Sequence, residues 1–179
     1  MRIISGTFGG RVLHPPKGLP VRPTTDFAKT ALFNILSSRL DLEEATVLDL
    51  CCGTGSISFE CASRGAKKIT AVDAHFNCAK FVNDTAKTMG MSNLQAFKSD
   101  IFKFVEKETQ VYDLIFADPP YEMEWIKDIS NAIFQYKLLS LNGILIIEHG
   151  GKTDLSTDKG FVEKRKYGNV NFSIFKYHE

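Results

Sequence analysis

The stretch "TVLDLCCGTGSISFE", residues 46 to 60, sets the architecture of the chain. A short apolar run meets a glycine turn and the turn opens a helical segment, the first unit of a doubly wound sheet. Gly53 and Gly55 let the backbone come close to a ligand at that turn. A dinucleotide fingerprint would need a third glycine where Ser58 stands, and a phosphate loop would need a Gly-Lys pair that this turn lacks.

Downstream the same alternation repeats. "KITAVDA" (68 to 74), "LQAFKS" (94 to 99), "YDLIFAD" (112 to 118) and "GILIIEH" (143 to 149) read as strands, with helical segments at 56–64, 76–89, 101–107 and 125–139. Strands without polar alternation, separated by helices, predict an α/β fold with a mostly parallel sheet covered on both faces. "FVEKRKY" and "VNFSIFKY" flank a Gly-Asn pair and predict a closing antiparallel hairpin at the sheet edge. Upstream, residues 1 to 23 read as a hairpin and a proline-stiffened crossing. Thr24, Thr25 or Asp26 then caps a helix whose Ala28, Ala31, Leu32, Ile35 and Leu36 share one face, leaving Lys29 and Arg39 near the other.

A chain of 179 residues, 44% hydrophobic and 24% charged, suits one soluble domain with a small appendage. It shows neither an apolar run of about 18 residues nor a signal-peptide core. A cytoplasmic protein with no membrane contact is expected. Cys51, Cys52, Cys61 and Cys78 form no Cys-x-x-Cys pair and the histidines are scattered, so reduced thiols and no metal are expected. Residues 1 to 40 carry six basic side chains against Asp26 alone, whereas the remainder is acidic. The expected organisation is a basic hairpin-and-helix extension over 1–40, contacting a polyanion, and a catalytic domain over 41–179.

Acids at the strand tips choose the cofactor. Asp73 closes the second strand 18 residues after Gly55, where it can reach ribose hydroxyls. Asp100 closes the third and can face an adenine amino group. With Asp49 before the glycines, these carboxylates repel a pyrophosphate and suit the ammonium and sulfonium of S-adenosylmethionine, whose product is S-adenosylhomocysteine. The expected cofactor contacts are Asp49, Cys51, Gly53, Gly55, Asp73, Ala74, Asp100 and Ile101.

The fourth strand ends in "DPPY", residues 118 to 121. Two prolines stiffen the segment and leave carbonyls free. Asp118 can accept one N–H of an exocyclic base amine and the Pro119 carbonyl another, aiming the nitrogen lone pair at a methyl group. Pro120 holds the turn, and Tyr121 offers a face for a flipped base. These residues alone leave adenine, cytosine and guanine amines open.

"RIISGTFGGRVL", "RPTTDFAKTALFNIL", "DLCCGTGSISFECASRGA", "DPPY" and the late "YGN" together resemble the bacterial 16S ribosomal RNA guanine-N2 methyltransferases of the RsmD type, from the first residues to the last. The resemblance implies a Rossmann-like methyltransferase with a seven-stranded sheet, S-adenosylmethionine as donor, and a guanine in 16S ribosomal RNA as acceptor, within a small-subunit assembly particle. Arg11, Arg22 and Lys29 are the expected RNA contacts. The chain departs from the family at Lys29 and Thr30, where Arg-Glu is usual, at Cys51 and Cys52, where Phe-Ala is usual, and at Asn169 and Val170. Three competing readings are an N6-adenine methyltransferase, disfavoured by Asp118 in place of asparagine, an idle RNA-binding scaffold, and a nicotinamide enzyme, disfavoured by Ser58.

Overall fold

The computed structural model describes residues 1–22 and 24–177. Its elements in chain order are α1 (Asp26–Ser37), β1 (Thr46–Leu50), α2 (Ser56–Ser63), β2 (Lys68–Asp73), α3 (Phe76–Met89), β3 (Leu94–Lys98), α4 (Ile101–Lys107), β4 (Tyr112–Ala117), α5 (Ile126–Gln135), β5 (Leu139–His149), β6 (Phe161–Tyr167) and β7 (Val170–Phe175). The strands form one sheet in the order β3-β2-β1-β4-β5-β7-β6. The first five are parallel, and β7 lies antiparallel between β5 and β6. This is the seven-stranded, mostly parallel sheet with a closing hairpin that the sequence predicts. Strand order reverses at β1 and β4, so the ligand crevice lies at their carboxyl ends.

Side chains alternate across the pleat, and the two apolar cores divide accordingly. Val47, Ile69, Ala71, Leu114, Phe116, Ile144 and Ile146 pack with Ile3 and with residues of α1, α2 and α3. Leu48, Leu50, Val72, Ile115, Ala117, Leu145 and Ile147 pack on the other side with α4 and α5. Counting in twos from the first set reaches Asp49, Asp73, Asp118 and Glu148. Four acids at four strand ends therefore share the face that the N-terminal segment covers.

Three expectations change. The helix expected over 125–139 ends at Gln135, because Lys137 takes a left-handed φ of 55° and β5 begins at Leu139. The expected N-terminal hairpin is present but short, an antiparallel bridge between Arg2 and Val12 closed by the Ile3 amide on the Arg11 carbonyl and the Leu13 amide on the Met1 carbonyl. Other donors of the segment reach α2. The Ile4 and Ser5 amides donate to the two carboxylate oxygens of Glu60, the Thr7 amide to the Ser63 carbonyl and the Phe8 amide to the Ser63 hydroxyl. Thr25 caps α1 by accepting from the Ala28 amide at 3.1 Å. Lys29, expected near the exposed face of that helix, is only 1% exposed. Its ammonium donates to the Arg2 carbonyl and the Ser56 hydroxyl and lies 3.7 Å from Glu60.

Candidate active site

The loop after β1 is wound by left-handed residues. Cys51, Gly53 and Gly55 have φ of 58°, 55° and 80°. A Cβ on Gly55 would come within 2.7 Å of Val82 and 3.0 Å of Phe59, so glycine is required there by packing as well as by backbone conformation. Asp73 fixes the loop from the next strand. One of its oxygens accepts the Gly53 amide and the other the His75 amide, both at 2.8 Å. Each oxygen keeps a lone pair for a further donor.

One cavity brings these parts together. It is walled by Cys51, Cys52, Gly53, Thr54 and Ser56, by Asp73, by Asp118 through Glu122, and by Val21, Arg22 and Thr24 of the N-terminal segment. Among the described residues that line it, Asp73, Asp118 and Glu122 face a single cation, Arg22, so the cavity suits a cationic ligand and opposes a pyrophosphate.

Asp49 lies elsewhere. It is 1% exposed and does not line the cavity. The pleat turns its carboxylate toward α2, where it accepts the Ser58 amide and hydroxyl. Burial pushes its pKa up to about 7 despite those two bonds. There it anchors the start of α2. Asp100 caps α4, accepting the Phe102 and Lys103 amides, and with Ile101 it lines a separate hollow beside Trp125. Ala74 is exposed and lines neither.

At the far wall, Pro119 is buried and Pro120 exposed. The Tyr121 ring packs on Gly150, where a Cβ would come within 2.8 Å of it. The Tyr121 hydroxyl donates to Glu148 at 2.7 Å. Above the ring, the Arg22 guanidinium carbon stands 3.8 Å from the centroid, and a guanidinium nitrogen approaches Glu148 to 3.5 Å. Burial opposes the Arg22 charge, but Tyr121, Asp118 and Glu148 outweigh it and raise its pKa. Burial raises the Asp118 pKa well above the usual carboxylate range, and the neighbouring Glu148 charge adds to that. Glu148 is itself raised by burial.

Sequence reasoning assigns Glu148 no role, yet it stands next to last in β5 beside β4 and shares the parity of Asp118. An acid at the tip of the strand adjoining "DPPY" was the available signal. Of the expected RNA contacts, Arg11 is exposed over Phe8, with 5.2 Å between its guanidinium carbon and the ring centroid. Arg22 belongs to the cavity wall. Lys29 is withdrawn from any RNA surface, because its ammonium neutralises buried Glu60.

Comparison with known proteins agrees with this architecture. A Bacillus subtilis protein named "Putative rRNA methyltransferase YlbH" is 31% identical over 98% of this chain and 98% of its own. The ribosomal RNA small subunit methyltransferase D of Haemophilus influenzae is 27% identical over 98% of this chain and 93% of its own. Among solved structures, an Escherichia coli protein, "Putative methyltransferase yhhF", superposes with a TM-score of 0.86 at 24% identity, covering 99% of this chain and 98% of that one. The T. thermophilus 16S rRNA N2 G1207 methyltransferase, solved with AdoMet and guanosine, superposes at 0.72 with 19% identity over 90% of this chain and 46% of that one. The model of the family described as "Conserved hypothetical protein 95" matches residues 1–176, and the chain belongs to that family, the RsmD methyltransferases.

Proposed function

We propose that the protein transfers a methyl group from S-adenosylmethionine to the exocyclic N2 amine of a guanine in 16S ribosomal RNA, within an assembling small subunit in the cytoplasm. The observation that carries this reading is the meeting, in one acidic cavity, of the β1 glycine loop with Asp118 and Pro119. Relatives named as small-subunit ribosomal RNA methyltransferases support the choice of RNA.

Cys51, Gly53, Gly55 and Asp73 would hold the donor, and Asp100 with Ile101 would reach its adenine end. When bound, S-adenosylmethionine supplies an electrophilic methyl group on a cationic sulfur. A base amine is a weak nucleophile because its lone pair is delocalised into the ring. Asp118 accepts one of its N–H groups and the Pro119 carbonyl the other, which draws the nitrogen toward tetrahedral geometry. The methylated nitrogen then sheds its proton to Asp118 or water. Small subunits from cells lacking the gene, incubated with purified protein and labelled donor, should yield label in N2-methylguanosine after digestion to nucleosides. Label in N6-methyladenosine would overturn the guanine assignment, and no label would overturn the enzyme reading.

Asp73→Ala should weaken donor binding by about 1.5–3 kcal/mol, the scale of a charge-assisted hydrogen bond. Part of that loss comes through the Gly53 amide, which Asp73 also holds. Calorimetry giving an unchanged affinity would remove Asp73 from the site. We propose further that the N-terminal extension over 1–40 meets RNA phosphate, with Arg11 as its exposed contact. Arg11→Ala should lower the salt slope of RNA binding by about one unit. An unchanged slope in filter binding would place the RNA elsewhere.

A further inference from the structure

The two oxygens of Glu148 are unequal. Oε1 accepts the Tyr121 hydroxyl and faces Arg22. Oε2 is buried and has no hydrogen-bond partner, the only such carboxylate oxygen among the described residues. The Glu148 side chain is 5% exposed. A buried acceptor left bare is costly, and such atoms persist where a ligand brings the missing donor.

Arg22 shows which kind of group fits over Tyr121 beside this carboxylate. Its guanidinium lies over the ring with an N–H turned to Glu148 Oε1, at 3.5 Å. Guanine carries the same group fused into its ring, since N1, N2 and N3 around C2 form a planar guanidine that presents N1–H and N2–H side by side. Adenine places a lone pair at N1 beside its amine, and cytosine places one at N3. A carboxylate attracts the first edge and repels the other two.

We propose that Glu148 accepts the N1–H of the target guanine, and that Arg22 occupies in this structure the place over Tyr121 that the base takes. The assignment rests on the guanine reading above and supplies the discrimination that Asp118 and Pro119 lack. Both of those grip any exocyclic amine, whereas Glu148 tests the neighbouring ring position. The Arg22 side chain is 60% exposed and can swing outward as the base enters, where its charge meets the phosphate of the flipped nucleotide.

The test is competition. Methylation of small subunits by the wild-type protein is measured with U-rich oligoribonucleotides that carry one guanine, inosine, 2-aminopurine or adenine. Inosine keeps N1–H and lacks the amine, while 2-aminopurine keeps the amine at C2 and has a lone pair at N1. Guanine and inosine should inhibit about tenfold or more better than 2-aminopurine and adenine, the scale of one charge-assisted bond. Glu148→Gln, whose amide can donate to a ring nitrogen, should close the gap between inosine and 2-aminopurine while binding donor as the wild type does. Equal or absent inhibition by all four probes overturns the proposal without a variant. So does a Glu148→Gln protein that keeps the wild-type order. A wild-type protein that labels no guanine in small subunits defeats the proposed function itself, and this assignment falls with it.

Discussion

Asp118→Ala should lower the turnover of methyl transfer about a hundredfold or more, the loss expected when a positioned polar group leaves a reaction centre. Donor affinity should change little if, as proposed, the carboxylate acts on the acceptor amine. The same substitution should not destabilise the fold. Burial raises the Asp118 pKa and adjacent Glu148 raises it further, so two carboxyl groups resist ionising side by side. A carboxyl whose pKa rises on folding contributes stability that is full below the ordinary carboxylate range of about 4 and is lost as pH rises through the elevated value. Asp118→Ala should therefore flatten the decline in stability toward neutral pH. Calorimetric melts of both proteins from pH 4 to 8 read this directly. A lower melting temperature for the variant at pH 8, with donor affinity lost in parallel, would show that Asp118 supports structure and not transfer.

Glu60→Ala should be the most damaging single change to stability, by about 3–5 kcal/mol, because it strands a buried cation. Glu60 is fully buried and receives the Ile4 amide at 2.8 Å, the Ser5 amide at 3.0 Å and Arg64 Nε at 2.9 Å. Lys29, 1% exposed, loses its only carboxylate within 4 Å among the described residues when Glu60 is removed. Burial already lowers the Lys29 pKa and Glu60 holds it back up. In the variant the lysine should give up its proton more readily, and the defect should ease as pH rises. Lys29→Met in the Glu60→Ala background should recover part of the loss, since the stranded charge is then gone. Urea unfolding showing wild-type stability for Glu60→Ala would mean that the network contributes nothing net.

The sheet was legible because its strands are short apolar runs punctuated by glycine loops, and the residues of "DLCCGTG" and "DPPY" have few other uses at strand ends. Position along a strand does not by itself show the pleat, which turns Asp49 onto Ser58. Reading in twos would have grouped Glu148 with Asp118 as well. Lys29 misled for a different reason. Helical spacing locates an apolar stripe, but it cannot reveal that Glu60 waits beneath it, since that pairing spans 31 residues and exists only after α1 and α2 have packed. Arg22 lay in a segment whose path over the cavity no local pattern encodes.

The grip of Glu60 on the Ile4 and Ser5 amides also bears on how this family can diversify. A peripheral RNA-binding module can be exchanged between genes when its removal leaves a folded remainder. Here the first residues and the catalytic sheet share one carboxylate, and Ile3 belongs to the core. Recombination that swapped this segment would empty part of the interior and take from Glu60 the Ile4 and Ser5 amides. Change in this segment is thereby channelled into single exchanges at exposed positions such as Arg11, with the backbone route left intact.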